Sequence, residues 1–87
     1  MLTINEDLFT VEVGGKSIEL TKTEFDILYY LVSNKHRVVS KTELIDKLWH
    51  KPVFENTVEV YVKYLRDKIG ANYIVTRRGF GYRAVIE

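Results

Sequence analysis

The stretch that decides the fold is residues 56–69, which read NTVEVYVKYLRDKI. Its apolar residues recur at helical spacing and form one continuous stripe: Val58, Val62, Leu65 and Ile69. The side chain of Asn56 can accept a hydrogen bond from the first turn and so cap this helix. Gly70 follows, where a residue in the left-handed helical conformation ends many helices. The pattern predicts an amphipathic helix that buries the stripe.

The opposite side of this predicted helix is not a plain charged surface. Val60, Tyr61 and Tyr64 alternate there with Lys63 and Arg66. A helix in the major groove of DNA needs cations for phosphates and apolar or aromatic groups for base edges. The alternative is an amphipathic helix whose exposed tyrosines pack on neighbouring loops, because tyrosine can bury its ring and keep its hydroxyl in water. Of the two, the pattern favours a DNA-recognition helix.

A β-hairpin is predicted after this helix, over residues 73–85. Two β-prone runs flank a basic turn that reads RRGFG, residues 77–81. Gly79 and Gly81 allow the backbone to turn tightly and to approach a ligand closely. An arginine on a narrow ribbon, such as Arg78, suits the minor groove, whose negative potential is greatest where the groove narrows. Adjacent arginines are also common on protein surfaces, so this signal depends on the helix before it.

Two further helices precede the recognition stretch, and each begins with a capping signal. Thr21 and Ser40 are both followed, three residues later, by a glutamate, which is the capping-box pattern. Apolar residues recur at helical spacing behind each cap: first Phe25, Leu28, Leu31 and Val32, then Leu44, Ile45, Leu48 and Trp49. Residues 37–39, between these helices, are expected to form a brief strand.

The first twenty residues predict a small antiparallel sheet. Residues 9–13 and 16–20 alternate apolar and polar side chains on either side of Gly14-Gly15, a two-residue hairpin signal. Residues 2–4 are the expected edge strand. The fold class is therefore α+β, with the chain as a single winged helix-turn-helix domain: an N-terminal sheet (1–20), a three-helix core (21–70) and a C-terminal hairpin wing (73–85).

Composition narrows the function classes. The 87 residues contain no cysteine, which excludes disulfides and thiolate metal sites. No apolar run reaches the roughly 20 residues of a membrane span, and the acidic N-terminus is unlike a secretion signal, so we expect a soluble, cytoplasmic protein without membrane contact. Residues 1–34 carry two basic and six acidic side chains, whereas residues 35–87 carry eleven and six. This asymmetry fits a polyanionic partner, and a solvated basic surface equally well.

The sequence lacks the parts of an active site. Its two histidines, His36 and His50, lie in different predicted loops without metal-ligand spacing, and no glycine-rich phosphate loop or nucleophile motif is present. We expect no enzymatic activity, no cofactor and no metal. The main alternative to DNA binding is a protein–protein interaction module, because winged helices also serve that role. RNA binding is disfavoured, since the sequence shows no stacking platform on an exposed sheet.

Four segments of the chain resemble the DNA-binding effector domains of OmpR/PhoB-type response regulators, in the same order and spacing. They are LTKTEFDIL (20–28), VVSKTELIDKLW (38–49), NTVEVYVKYLR (56–66) and TRRGFGY (76–82). The resemblance runs nearly end to end. It implies a winged helix-turn-helix that binds duplex DNA sequence-specifically and controls transcription in a bacterial two-component system.

The resemblance also implies roles for single residues. The positions that face base edges in the major groove are Glu59, Val60 and Tyr64, and the wing residue that reaches the minor groove is Arg78. Backbone phosphates are contacted by the positions of Trp49, Thr57, Lys63, Arg66 and Thr76. For Trp49, plain core packing is an equal alternative. Many relatives have arginine where this chain has Tyr64, so we expect apolar or single hydrogen-bond readout there instead of a bidentate guanine contact.

Three partners follow from the resemblance alone. The family joins this domain to an upstream receiver domain, whose aspartate is phosphorylated by a histidine kinase and which residues 1–87 do not contain. Members typically bind direct repeats, with a second copy placed head to tail. The loop matching residues 50–55 is implicated in contacting RNA polymerase.

Overall fold

The computed structural model describes residues 1–86 and places an antiparallel sheet, three helices and a hairpin in that order. The elements are β1 (Leu2–Asn5), β2 (Thr10–Val13), β3 (Lys16–Glu19), α1 (Lys22–Ser33), α2 (Lys41–Leu48), α3 (Glu55–Ile69), β4 (Ile74–Arg77) and β5 (Gly81–Ala84). A turn of 3₁₀ helix, Ala71–Tyr73, connects α3 to β4. The predicted winged helix-turn-helix is confirmed. No helix within residues 1–86 is long and apolar enough to cross a membrane.

The N-terminal sheet has the order β1-β2-β3 with antiparallel neighbours, and β1 lies at an edge as expected. The β2–β3 hairpin turns at Gly14 and Gly15, whose φ angles are 57° and 84°. Two consecutive positive φ angles suit a two-residue turn that matches the twist of its strands, and glycine adopts them without strain. The sheet contributes Leu2 and Val11 to the core.

Two of the three helices have the N-terminal cap residue that the sequence predicted. Thr21 forms the full capping box with Glu24, and the Ser40 hydroxyl accepts a hydrogen bond from the Glu43 backbone N–H at 3.0 Å. The prediction of an Asn56 cap was wrong, because α3 begins at Glu55 and Phe54, two residues before Asn56, occupies the cap position without a side-chain hydrogen bond. Gly70 also departs from expectation, since its φ of 98° and ψ of 153° are not left-handed helical.

The core is built around α3. All four residues of its predicted stripe are at most 3% exposed: Val58, Val62, Leu65 and Ile69. They pack with α1, which supplies Ile27, Leu28 and Leu31, and with Tyr82 and Ala84 of the hairpin. Because this stripe faces inward, the opposite side of α3 lies at the surface.

The hairpin is attached to the helical core through Val39. The Val39 N–H donates to the Tyr82 carbonyl at 2.8 Å, and the Tyr82 N–H donates to the Val39 carbonyl at 2.9 Å. Instead of the strand expected at residues 37–39, the structure has this single antiparallel bridge at Val39. Gly81 was expected to approach a ligand, but its close neighbour in the structure is protein backbone: a Cβ there would lie 2.1 Å from the Val39 oxygen.

A charged cluster links α1, the following loop and α2. The Glu43 carboxylate accepts hydrogen bonds from the Arg37 guanidinium and from the Tyr30 hydroxyl. These bonds favour the ionised form and, with Arg37 as the main cause, lower the pKa of Glu43 from 4.5 to about 2. Glu43 therefore connects three segments instead of completing a capping box with Ser40.

We expect acid to weaken this cluster. Because the pKa of Glu43 is lower in the folded state, its stabilising contribution is complete above about pH 4.5 and is lost as the pH falls toward 2. Glu43→Gln should lower the Tm at neutral pH and flatten its decline on acidification. Thermal unfolding followed by circular dichroism at several pH values would measure both effects, with Asp46→Asn, at an exposed position of α2, as the control. Equal acid dependence in Glu43→Gln and the wild type would contradict this assignment.

Candidate nucleic-acid interface

The outer side of α3 presents the three residues predicted to face base edges. Val60 and Tyr64 are 44% and 49% exposed, and Glu59, next to Val60 in the sequence, is exposed as well. Val60 and Tyr64 are four positions apart and so lie one turn apart on one face of the helix. The structure therefore exposes all three predicted residues on α3, with Val60 and Tyr64 on one face and Glu59 toward the hairpin.

An aromatic cluster borders this surface and clarifies two predictions. Tyr61 is half-buried, with its ring centre 5.9 Å from that of Trp49 and 6.4 Å from that of Tyr64. The alternative of a tyrosine packed on its neighbours thus describes Tyr61, while Tyr64 remains accessible. Trp49 follows α2 directly, is half-buried and packs against the core. Core packing is therefore part of the role of Trp49.

A groove of about 490 Å³ separates α3 from the hairpin. It is lined by the start of α2, by Glu59 and Arg66 of α3, and by the wing turn that contains Arg78. Lys41 Nζ lies 2.6 Å from Glu59 Oε2 across this groove. The hydrogen bond to Glu59 raises the pKa of Lys41. The ion pair offsets the negative charge that Glu59 would otherwise present to a polyanion.

Sequence reasoning did not include Lys41 in the site. It lies 18 positions before Glu59, in the first turn of another helix, so no local pattern connects the two residues. The only sequence signal that bears on Lys41 was the capping motif at Ser40, which places Lys41 in the first turn of α2. In the structure this end of α2 lies near α3.

Arg66 faces the hairpin. Its Nε and Nη2 donate to the Ile74 carbonyl oxygen at 3.2 and 2.8 Å, and Nη2 also donates to Thr76 Oγ1 at 2.7 Å. The guanidinium carbon lies 5.6 Å from the centre of the Tyr82 ring. The structure thus joins Arg66 and Thr76 by a hydrogen bond. The family resemblance implied a separate phosphate contact for each of them.

The remaining predicted phosphate contacts lie along the same helix. Thr57 is half-buried in the first turns of α3, and Lys63 is well exposed, with its Nζ 3.7 Å from Asp67 Oδ2. An exposed pair of this length, one turn apart, is weak. The ammonium of Lys63 therefore remains available to an anion.

The tip of the hairpin is exposed and basic. Arg77 ends β4, and Arg78-Gly79-Phe80 form the turn, with all four residues exposed. Gly79 has a φ of 84°, and the Phe80 N–H donates to the Arg77 carbonyl at 2.8 Å. Phe80 is 69% exposed and was not singled out from the sequence. The predicted wing residue Arg78 thus projects from a tight turn beside the groove.

A helix-turn-helix whose third helix is exposed and flanked by a basic hairpin defines the class of winged helix domains. The family described as "Transcriptional regulatory protein, C terminal" matches residues 15–84, and the chain belongs to this family. It is therefore a domain of the OmpR/PhoB type, from a family of transcription regulators and not of enzymes.

Known relatives agree in sequence and in structure. The chain is 41% identical over 87 residues to the response regulator ArlR of Staphylococcus aureus. The aligned region covers 93% of this chain and 40% of ArlR. The chain thus spans well under half the length of this relative. The Thermotoga maritima OmpR/PhoB homolog DrrB superposes with a TM-score of 0.91 at 36% identity, over 98% of this chain and 42% of DrrB.

An isolated domain is also similar. The DNA-binding domain of Klebsiella pneumoniae RstA, solved in complex with the RstA box, superposes with a TM-score of 0.86 at 26% identity. The superposition covers 97% of this chain and 90% of that one. The similarity therefore extends over the whole winged helix, including α3 and the hairpin.

Proposed function

We propose that this domain binds duplex DNA sequence-specifically, as the effector domain of a transcription-controlling response regulator. The observation that carries the proposal is that α3 exposes Val60 and Tyr64 on its outer side and also lines, through Glu59 and Arg66, the groove that contains the wing arginines. In this arrangement α3 enters the major groove and Arg78 reaches the adjacent minor groove. The RstA domain, which was solved with its DNA, supports the same use of the fold here.

Three residues read base edges in this proposal. Val60 offers a branched apolar side chain that suits a thymine methyl group, and the Tyr64 hydroxyl can make a single hydrogen bond. The Glu59 carboxylate can accept from the N4 amino group of cytosine, while its Oε2 accepts a hydrogen bond from Lys41 at 2.6 Å. Base preference should therefore come from the exposed side of α3.

Phosphates are contacted by residues around that face: Trp49, Thr57, Lys63, Arg66 and Thr76. Lys63 supplies an exposed cation, and each such contact releases counterions, so affinity should fall steeply as salt rises. Arg66 can meet a phosphate through Nη1, because its other two nitrogens are bound to the hairpin. Trp49, which is half-buried, can donate a hydrogen bond through its indole N–H.

The proposed partners follow from the family. Because the family joins this domain to a receiver domain, we propose one upstream, and we expect a second copy head to tail on direct repeats in the cytoplasm. Residues 50–55, which are the loop before α3 and the first residue of that helix, are the proposed contact with RNA polymerase. Phe54 is 83% exposed, which gives this loop an apolar group available to a protein.

Selection of bound duplexes from a random DNA pool tests the function. The wild type should enrich two direct half-sites about one helical turn apart. Arg78→Ala should lose affinity most at sites flanked by a narrow, A·T-rich minor groove, because its side chain reads groove width. Lys16→Ala, which removes an exposed cation from β3, is the control and should select the same sequences.

Two results would contradict the proposal. Equal loss on A·T-rich and G·C-rich flanks would remove Arg78 from the minor groove. No enrichment by the wild type at low salt would favour a protein–protein interaction module instead, because DNA binding through Lys and Arg is strongest there.

A further inference from the structure

We propose that Arg66 is a positioning residue that fixes the wing relative to the recognition helix, and so determines how strongly Arg78 senses the minor groove. This inference rests on the proposed function and deepens it. It gives Arg66 an effect on DNA through the hairpin, beyond the phosphate contact that its position in the family implies.

The contacts of Arg66 reach both strands of the hairpin. On β4 it donates to the Ile74 carbonyl and to Thr76 Oγ1, and on β5 its guanidinium lies 5.6 Å from the ring centre of Tyr82. A planar guanidinium with several donors in a fixed fork can satisfy acceptors at set directions. Arg66 therefore restrains the orientation of the hairpin as well as its distance from α3.

Burial and the bridge to Val39 hold β5, whereas most of β4 and the turn are not buried. Ile74 and Ala84 are at most 2% exposed, whereas residues 75–80 are all exposed. Thr76 belongs to this exposed part and precedes Arg78 by two residues. Its hydroxyl accepts from Arg66 Nη2 at 2.7 Å. The fork of Arg66 thus links α3 directly to the mostly exposed strand β4, which leads into the turn with Arg78, while Val39 holds β5.

Charge and geometry can be separated at this position. Arg66→Lys keeps the positive charge, so a simple phosphate contact would largely survive, but an ammonium cannot reproduce the fork. Arg66→Gln removes the charge as well. If Arg66 positions the wing, both variants should lose the preference for A·T-rich over G·C-rich flanks, while only Arg66→Gln should lower the salt slope.

The experiment measures the affinity for one half-site with A·T-rich or G·C-rich flanks, at several salt concentrations. Arg66→Lys should remove about half or more of the flank preference that Arg78→Ala removes. In the double variant the two losses should not add, because both act through the contact of Arg78 with the minor groove. Lys63→Gln is the matched control: it should weaken both duplexes equally and reduce the salt slope by about one.

Additive losses, or an unchanged flank preference in Arg66→Lys, would overturn the inference and leave Arg66 as a phosphate contact. An unchanged preference in Arg78→Ala would instead overturn the proposed wing contact, and this inference with it. Thr76→Val removes one acceptor of the fork at an exposed site and keeps a branched side chain. If Arg66→Lys fails to fold, the flank preference of Thr76→Val decides: a reduced preference supports the positioning role, and an unchanged one refutes it.

Discussion

Gly81→Ala is expected to lower the free energy of unfolding by about 3 kcal/mol or more, through overpacking and backbone strain together. The added Cβ would lie 2.1 Å from the Val39 oxygen, 2.7 Å from the Val39 carbonyl carbon and 2.8 Å from Ser40 Cα. All three atoms are backbone, so no flexible side chain can move aside. The φ of 139° at Gly81 is also one that residues with a side chain rarely adopt. The hairpin must therefore separate from Val39 to accept the substitution.

Chemical denaturation would measure this loss, and Gly79→Ala is its matched control. Gly79 lies two residues earlier in the same hairpin with a φ of 84°, but a Cβ there would meet no atom within 4 Å. Gly79→Ala should therefore cost about 1 kcal/mol, from backbone strain alone. DNA binding by Gly81→Ala should also fall, because separation from Val39 displaces Arg78. Similar losses of stability in the two variants would show that the contact with Val39 does not determine the effect.

Local patterns in the sequence were sufficient to predict the elements and the face of α3 that is buried. The stripe from Val58 to Ile69 was read correctly because a helix has a fixed period, and every member is buried. The cap of α3 was misplaced by two residues. Asn56 is a good capping residue by type. The cap, however, is the last residue with extended backbone before the helix, and this residue is Phe54, whose ψ is 154°.

Contacts between distant segments could not be predicted. Glu24 is 3% exposed and accepts a hydrogen bond from Lys68 Nζ at 2.7 Å, although 44 positions separate them. Burial opposes ionisation of Glu24, but the bonds from Lys68 and Thr21 outweigh it and lower the pKa of Glu24. The capping motif predicted the local bond to Thr21 and contained no signal of the bond to Lys68. Periodicity reports which side of an element is buried, and not which residue lies opposite.

The same limit applies to the candidate site. Resemblance and helical period together indicated Glu59, Val60 and Tyr64, and the structure exposes all three. The partner of Glu59, which is Lys41, and the hairpin contacts of Arg66 depend on how α2 and the wing pack against α3. That packing is set by the long-range core, so these roles became visible only in three dimensions.

Leu65→Ala is expected to cost about 2–5 kcal/mol of stability, the range for a leucine truncated in a well-packed core. Leu65 is 0% exposed and belongs to the cluster that joins α3 to α1 and the hairpin. A small domain has a total stability of only about 5–15 kcal/mol, so the variant should unfold at a much lower denaturant concentration. Equilibrium unfolding in urea would measure this difference in the free energy of unfolding. The slope of that free energy against urea concentration should be the same in the variant and the wild type.

The adjacent residue provides the control that separates folding from recognition. Tyr64 is 49% exposed, so Tyr64→Ala should change stability by about 0.5 kcal/mol or less, while relaxing base preference in the selection experiment. Leu65→Ala, assayed at a temperature where it is folded, should retain that preference, because the exposed face of α3 is unaltered. If Tyr64→Ala proved as destabilising as Leu65→Ala, the tyrosine would be a structural residue, and base readout would have to be assigned to Glu59 and Val60 alone.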